Sequence, residues 1–324
     1  MKRREFVTLI GGAAAWPSGL HAQFPMPRIG YLLPGTSASH GAYATTFLQG
    51  LGELGLVKDR DFSLDLRYAD GKLDRIPAIV GELIGTGVNV LAVGSTGAAL
   101  AAKQATTSIP IVFLSGDDPV DSGLVASLNR PGGNVTGISV LFTEINAKRL
   151  DIVLELVPKE VAVGAIFNSA NRNSKADTKA VVDAAQKRAR RLIVVNAATD
   201  NEVDAAFSSL IEQRAVGLLV QSDPFLNSRR ERIIALAARH ALVGNYPLRE
   251  YALLGGLSSY GVDFGHSYQQ VGTYVGKIIK GAKPASLPVL QPTNFQMVLN
   301  LKAAKALGIT IPQTLLSFAT EVIE

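Results

Sequence analysis

The sequence predicts an α/β fold of two doubly wound parallel-sheet lobes with a ligand cleft between them. Three observations carry this. Residues 89–120, NVLAVGSTGAALAAKQATTSIPIVFLSGDDPV, read as strand, helix, strand, with two short apolar runs around an alanine-rich helix. Such runs mark a parallel sheet buried on both faces. The same alternation leads up to this stretch and restarts after Pro158, so the unit occurs twice. Finally, 324 residues, 47% hydrophobic and 18% charged, suffice for two globular domains with sizeable cores.

Taken in order, the chain begins with an export leader over residues 1–22. Lys2-Arg3-Arg4 forms its positive end, residues 6–16 its weakly apolar segment, and Ala22 and Leu20 offer recognition positions for a cut before Gln23, although Leu20 is larger than the usual alanine there. Paired arginines followed by Glu5-Phe6-Val7 and a glycine-rich segment favour twin-arginine export. No later segment has the roughly 18 uninterrupted apolar residues of a membrane span, so an exported, soluble protein is expected. Net charge is +5, of which the leader accounts for +2. The remainder is too mild to argue for nucleic acid, and no dense basic patch with interleaved aromatics occurs. Lys187-Arg188-Ala189-Arg190-Arg191 ends a predicted helix, where the dipole favours cations. The chain has no cysteine, which excludes disulfides, thiol catalysis, thiolate metal sites and a lipoprotein anchor.

Residues 28–33 are the first strand, 34–41 a loop rich in Gly and Ser, and 42–54 a helix. Residues 62–68 alternate as a strand, and Asp74 caps a helix reaching about residue 84. The strands at 88–93 and 109–114 flank the central helix, 98–105, and 134–139 adds another strand. A helix over 144–156 leads to the second unit, with strands at 161–167, 192–196, 217–221 and 242–246 and helices at 174–190, 202–213 and 229–238 between them. The pattern then changes: strand 255–260, helix 268–279, a proline-rich link over 284–292, strand 295–301 and helix 302–307. These last elements are too few for a third domain. The expected division is residues 23–140 with about 264–289 in one lobe, and 141–263 with about 290–324 in the other.

Motifs for chemistry are sparse. Gly50-Leu51-Gly52-Glu53-Leu54-Gly55 matches G-x-G-x-x-G, but that fingerprint holds a pyrophosphate only directly after a strand. Here it falls late in a helix that Gly55 ends, so no dinucleotide or other cofactor is expected. His40, His240 and His266 are the histidines beyond the leader, none at ligand spacing, and a metal would rest on Asp117, Asp118 and Asp223 alone. There is no G-x-S-x-G nucleophile elbow, and nothing specific marks a glycosidase carboxylate pair.

The loops after the strands are the stronger signal, because ligands in open parallel sheets sit beyond the strands' carboxyl ends. Ser95-Thr96 offers hydroxyls and backbone N–H groups at a helix start, suited to an anion. Ser115-Gly116-Asp117-Asp118 offers carboxylates, suited to a cation. A ligand carrying both charges, such as an amino acid, satisfies both. Further polar loops follow at 34–39, 168–174, 221–225 and 246–249. Any one of them can be turn filling, but their succession in both lobes points to a cleft. Tyr260 and Phe142 lie at the expected crossings and are placed to stack on a ring. The one tryptophan, Trp16, is in the leader, which disfavours a saccharide.

RREFVTLIGGAAAWP, RIGYLLPG, FLQGLGELGL, IPIVFLSGDDPVDSGLVASLNRPGGNVTG, GGLSSYGVDF and GKIIKGAKPASLPVLQPTNFQMVLNLKAAKALGITIP span essentially the whole chain. Together they resemble the tryptophan/tyrosine-type substrate-binding proteins of ABC transporters, a family related to type 1 periplasmic binding proteins. The resemblance implies a two-lobed protein that closes on a small molecule and presents it to permease subunits. Carried over, Ser95 and Thr96 look like carboxylate binders, and Asp117 or Asp118 looks like the partner of the ligand amine, helped by Asn168, Asp223 and Tyr260. The expectation is a periplasmic solute-binding protein working by hinge closure, with no catalysis, nucleic acid or stable membrane insertion. Two alternatives stand beside it. A receptor for an amine-free aromatic or carboxylic acid would leave the aspartates structural. A secreted enzyme on the same architecture would turn its ligand over.

Overall fold

The computed structural model describes residues 26–324, and the leader reading, with Trp16 and His21, lies outside them. The first sheet opens with β1 (Arg28–Leu33), followed by α1 (Ser37–Gly52). A capping box starts α1 earlier than the loop-like residues 34–41 suggest: the Thr36 hydroxyl accepts from Ser39 N–H while Ser39 Oγ accepts from Thr36 N–H. Next come β2 (Ser63–Tyr68), α2 (Ile76–Gly85), β3 (Val90–Val93), α3 (Thr96–Ala105), β4 (Ile111–Ser115) and β5 (Val135–Ser139). They form a parallel sheet of order β2-β1-β3-β4-β5, in which every residue of β3 and β4 is buried. That burial is what continuous apolar runs between two helical layers require. Asp74 does not cap α2; it sits in a 3-10 turn, Leu73–Arg75, and Pro77 occupies the helix's first turn.

The second lobe is built from α4 (Phe142–Leu156), β6 (Ala162–Phe167), α5 (Ser174–Lys187), β7 (Leu192–Asn196), α6 (Asp200–Glu212), β8 (Ala215–Val220), α7 (Pro224–Ser228), α8 (Arg230–Arg239), β9 (Val243–Tyr246), α9 (Arg249–Leu253) and β10 (Ser258–Val262). After α10 (Phe264–Ile279), it is extended by β11 (Phe295–Asn300), α11 (Leu301–Leu307), α12 (Gln313–Phe318) and β12 (Glu321–Ile323). The sheet order is β7-β6-β8-β9-β10-β11-β12, antiparallel between β10 and β11 and parallel elsewhere. Two doubly wound α/β lobes are thus present, as the alternation predicts. Among the described residues no helix is long and apolar enough to cross a membrane.

The chain passes between the lobes between β5 and α4, between β10 and α10, and again before β11. At the first passage Leu141 holds a left-handed conformation, φ 52°, that a branched side chain rarely adopts. At the second, α10 leaves the second sheet and lies along α1. A methyl on Gly50 would meet the Gln269 carbonyl oxygen at 1.9 Å, and one on Gly272 would meet that of Phe47 at 2.0 Å. Gly50, the first glycine of the fingerprint-like run, is therefore a helix-packing residue. Before the third passage Leu290 bonds the edge of β5, its N–H donating to Gly137 O at 3.0 Å and its carbonyl accepting from Ser139 N–H at 2.8 Å.

Candidate functional site

The strands of both sheets direct their carboxyl ends at one cavity of about 220 Å³. The first lobe contributes Pro34 and His40 after β1, Gly94 to Thr96 after β3, and Ser115 and Gly116 after β4; the second contributes residues 170–173 and 222–224. Ligand pockets usually begin at roughly 300 Å³, so the space suits a single small metabolite.

The predicted residues divide into those on its wall and those behind it. Ser95 lines the cavity and caps α3, its Oγ accepting from Ala98 N–H at 3.2 Å. Thr96 lines it too; its hydroxyl donates to the Asp117 carboxylate and accepts from Gly116 N–H at 3.3 Å. The Ser95-Thr96 loop and the aspartate loop are thus joined directly. Ser115 Oγ and Ser139 Oγ both donate to the Asp117 carbonyl, at 3.2 and 2.9 Å, and fix that loop. Asp118 accepts from Val120 N–H at 2.7 Å and Asp121 N–H at 3.3 Å, holding its own turn. Asp223 lines the cavity as the cap of α7, accepting from Leu226 N–H and Asn171 Nδ2, each at 2.8 Å, and from Asn168 Nδ2 at 3.1 Å. Asn168 lies one layer deeper, its N–H bonded to Gln221 Oε1 at 2.8 Å. Tyr260 stays in β10 with its ring on Phe295, centroids 5.9 Å apart, outside the cavity wall.

Burial sets the electrostatics. It pushes the Asp223 carboxyl above its ordinary range, against the pull of its hydrogen bonds. Asp177, accepting from Gln221 Nε2 and Thr143 Oγ1 at 2.7 Å each, is raised for the same reason. Burial, and then the positive charge of Arg230, lower His40 to about 4, so its ring is neutral near pH 7. Among the described residues no three His, Asp or Glu side chains gather as metal ligands would.

The lobes meet around the cavity. Arg172 Nε of the second lobe stands 3.8 Å from Asp117 Oδ2 of the first. Tyr43 Oη donates to Glu250 Oε1 at 3.0 Å, and Arg230 Nη1 to the Ser39 carbonyl at 3.3 Å.

One wall is aromatic. Phe142 and Phe264, from the first turns of α4 and α10, stack with centroids 5.7 Å apart, and Tyr268 lies 6.1 Å from Phe264. Of these wall residues the sequence marks Phe142 as a candidate for ring stacking and His40 only as a histidine without ligand spacing, while Phe264, Tyr268 and Arg172 carry no local mark. Glycines were the available signal. A methyl on Gly35 would meet His40 Nδ1 at 2.0 Å, one on Gly94 the Tyr268 hydroxyl at 2.8 Å, and one on Gly116 the Phe142 ring at 2.5 Å. At each of these strand ends a missing Cβ makes room for a ring.

Known proteins share this plan. Residues 37–323 match the family described as ABC transporter substrate binding protein. A tyrosine-binding protein of Clostridioides difficile is 28% identical over 269 residues, 81% of this chain and 75% of that protein. A conserved domain protein from Vibrio cholerae has a solved structure that superposes with a TM-score of 0.84 at 27% identity, covering 92% of this chain and 99% of that one. An ABC domain from Streptococcus pneumonia, solved in complex with L-Trp, superposes with a TM-score of 0.81 at 26% identity, covering 91% of this chain and all of that one (100%).

Proposed function

The chain belongs to the ABC transporter substrate-binding protein family, and we propose that it is the periplasmic receptor of an importer, binding an amino acid, aromatic by preference, and catalysing nothing. The observation that carries this is the small cavity between two lobes, with charged and hydroxyl groups beside an aromatic wall. Residues 1–22 would direct export, by the twin-arginine route, and permease subunits would receive the ligand. We take residues 23–140 with about 264–289 as one lobe and 141–263 with about 290–324 as the other. The packing of α10 on α1 and the place of β11 in the second sheet support that division.

In this reading the ligand carboxylate meets Ser95 and the first turn of α3, where N–H groups and the helix dipole favour an anion. The amine meets Asp117, oriented by Thr96. Asp118 is occupied by its turn, which leaves Asp117 as the partner of the two. Asn168 and Asp223 shape the opposing loop, and Tyr260 stiffens the crossing beneath it. Closing brings Arg172, Arg230 and Glu250 onto the first lobe, and ligand binding stabilises that closed state. A second reading, an amine-free aromatic acid, is favoured by the guanidinium already beside Asp117.

The test is a thermal-shift screen of the purified protein against amino acids and the matching amine-free acids, followed by calorimetry on Thr96→Ala and Asp117→Asn. A ligand at 100 times its Kd stabilises by roughly 2.7 kcal/mol. Stabilisation by an amino acid alone, lost tenfold or more in affinity in Asp117→Asn with the fold intact, is the expected result. A response to amine-free acids only, unaffected by Asp117→Asn, would establish the second reading instead.

A further inference from the structure

We propose that the aromatic wall of the cleft recognises a neutral hydroxyl on the ligand's ring, with His40 Nε2 and the Tyr268 hydroxyl as its two partners. The inference deepens the reading of the cleft as an amino acid site and rests on it for the choice of first probe.

Buried polar groups in folded proteins are nearly always hydrogen-bonded. His40 is 5% exposed and Tyr268 is 1% exposed, and both line the cavity. The hydrogen bond that holds His40 uses Nδ1, none among the described residues uses His40 Nε2 or the Tyr268 hydroxyl, and both side chains line the cavity, so these atoms are open to it rather than sealed in the core. Their rings are held firmly all the same. His40 Nδ1 bonds Ser39 Oγ at 2.8 Å, and the ring stands edge-on to Tyr43 at 5.4 Å, over the bare Cα of Gly35. Tyr268 stacks on the same Tyr43 ring, centroids 4.8 Å apart, and its hydroxyl is set over Gly94. Two fixed rings on one platform thus each present a single unpaired polar atom to the space a ligand would fill.

The character of those atoms selects the partner. Burial and the neighbouring Arg230 keep the imidazole neutral, and burial raises the phenol so that it stays protonated. An ammonium placed here would be desolvated against neutral groups and repelled by Arg230. A hydroxyl, which both donates and accepts, satisfies the pair whichever imidazole nitrogen carries the proton. A ligand lacking it would leave both groups unpaired, and that is how buried polar groups generate discrimination.

The experiment is calorimetric titration of the full chain with two ligand pairs, L-tyrosine against L-phenylalanine and 4-hydroxyphenylacetate against phenylacetate. Each pair differs by one hydroxyl, and the second lacks the amine. Tighter binding of the hydroxylated member by tenfold or more is expected. His40→Leu and Tyr268→Phe should each shrink that ratio to within about threefold, by weakening the hydroxylated ligand more than its partner. Tyr268→Phe keeps the ring and its stack on Tyr43, so it reads out the lost hydroxyl without dismantling the wall. Equal affinities in the parent protein, or a ratio that survives both substitutions, would overturn the inference. A hydroxyl preference confined to the amine-free pair would uphold it while removing the amino acid reading, and no binding of either pair would remove both.

Discussion

On the first lobe's side of the cleft, polar atoms stand open: no hydrogen bond among the described residues uses His40 Nε2 or the Tyr268 hydroxyl, and Asp117 Oδ2 has only a guanidinium 3.8 Å away. On the second lobe's side the buried carboxylates and amides are bonded to one another. Asp223 is shared by Asn168, Asn171 and a helix N–H, while Gln221 links the Asn168 N–H to Asp177, which also takes the Thr143 hydroxyl. A bonded network has already offset the desolvation of its members and is rigid. Open groups gain most when a ligand arrives. In the proposed reading, recognition falls to the first lobe and the role of a preformed jaw to the second.

The sharpest way to break that comparison is to remove what holds the jaw. Arg149 is buried beneath it, with Nη2 donating to the Val220 and Asn245 carbonyls at 2.7 and 2.9 Å, Nε to Asn245 Oδ1 at 3.1 Å and Nη1 to Asn146 Oδ1 at 3.0 Å. It ties the end of β8, from which residues 221–223 emerge, to the end of β9. Burial lowers its guanidinium to about 9, still protonated at neutral pH. Arg149→Ala empties a buried site and strands several acceptors, so a loss of about 3–5 kcal/mol in urea unfolding is expected. A loss below about 1 kcal/mol would mean that the jaw stands without this arginine.

Acidification should separate the two sides by sign. His40 titrates near 6.5 in the unfolded chain and near 4 in the folded one. Between those values the unfolded state binds the extra proton. Stability is therefore full above about pH 6.5 and falls toward pH 4, by on the order of 3 kcal/mol. Asp177 and Asp223 are raised, so the folded state takes up their protons first and they oppose the loss as pH drops toward their titration. Denaturation at pH 7.5, 6 and 5 should show a decline that His40→Gln largely abolishes. An unchanged decline in that variant would place the acid sensitivity elsewhere.

How much of this the sequence discloses follows from the same physics. Parallel strands covered on both faces are continuous apolar runs, so β3, β4 and β6 are plain in one dimension. Helices of five or six residues, such as α7, α9 and α12, have no room for a helical period and leave no pattern in the sequence. β10 begins at Ser258, beyond the Gly255-Gly256 turn that the strand reading absorbed. The cleft's loops are legible because they follow strands, but the bonding inside them is not. Nothing local says that Thr96 turns to Asp117, that Asp118 closes a turn, or that Asn168 braces Asp223. His40 and Tyr268 meet on Tyr43 only because α10 returns to the first lobe late in the chain.

Arg172 stands outside the second lobe's bonded network, and it supplies the smallest and most discriminating test. It projects from the bonded loop, its side chain is 47% exposed, and it reaches Asp117 across the mouth at ion-pair rather than hydrogen-bond distance. Exposed pairs of this kind contribute about 0–1 kcal/mol and are screened by salt. Arg172→Gln should therefore cost less than about 1 kcal/mol at low ionic strength, and the difference should vanish in concentrated salt. That outcome would mark the arginine as a loose strap between jaws, readily displaced from Asp117 by a ligand amine. A salt-insensitive loss of about 3 kcal/mol, the size expected for a group inside a bonded network, would instead put Arg172 in the jaw. Asp117 would then belong to the closed contact rather than to the ligand, and the first lobe would recognise its ligand through the hydroxyls of Ser95 and Tyr268 and the neutral ring of His40.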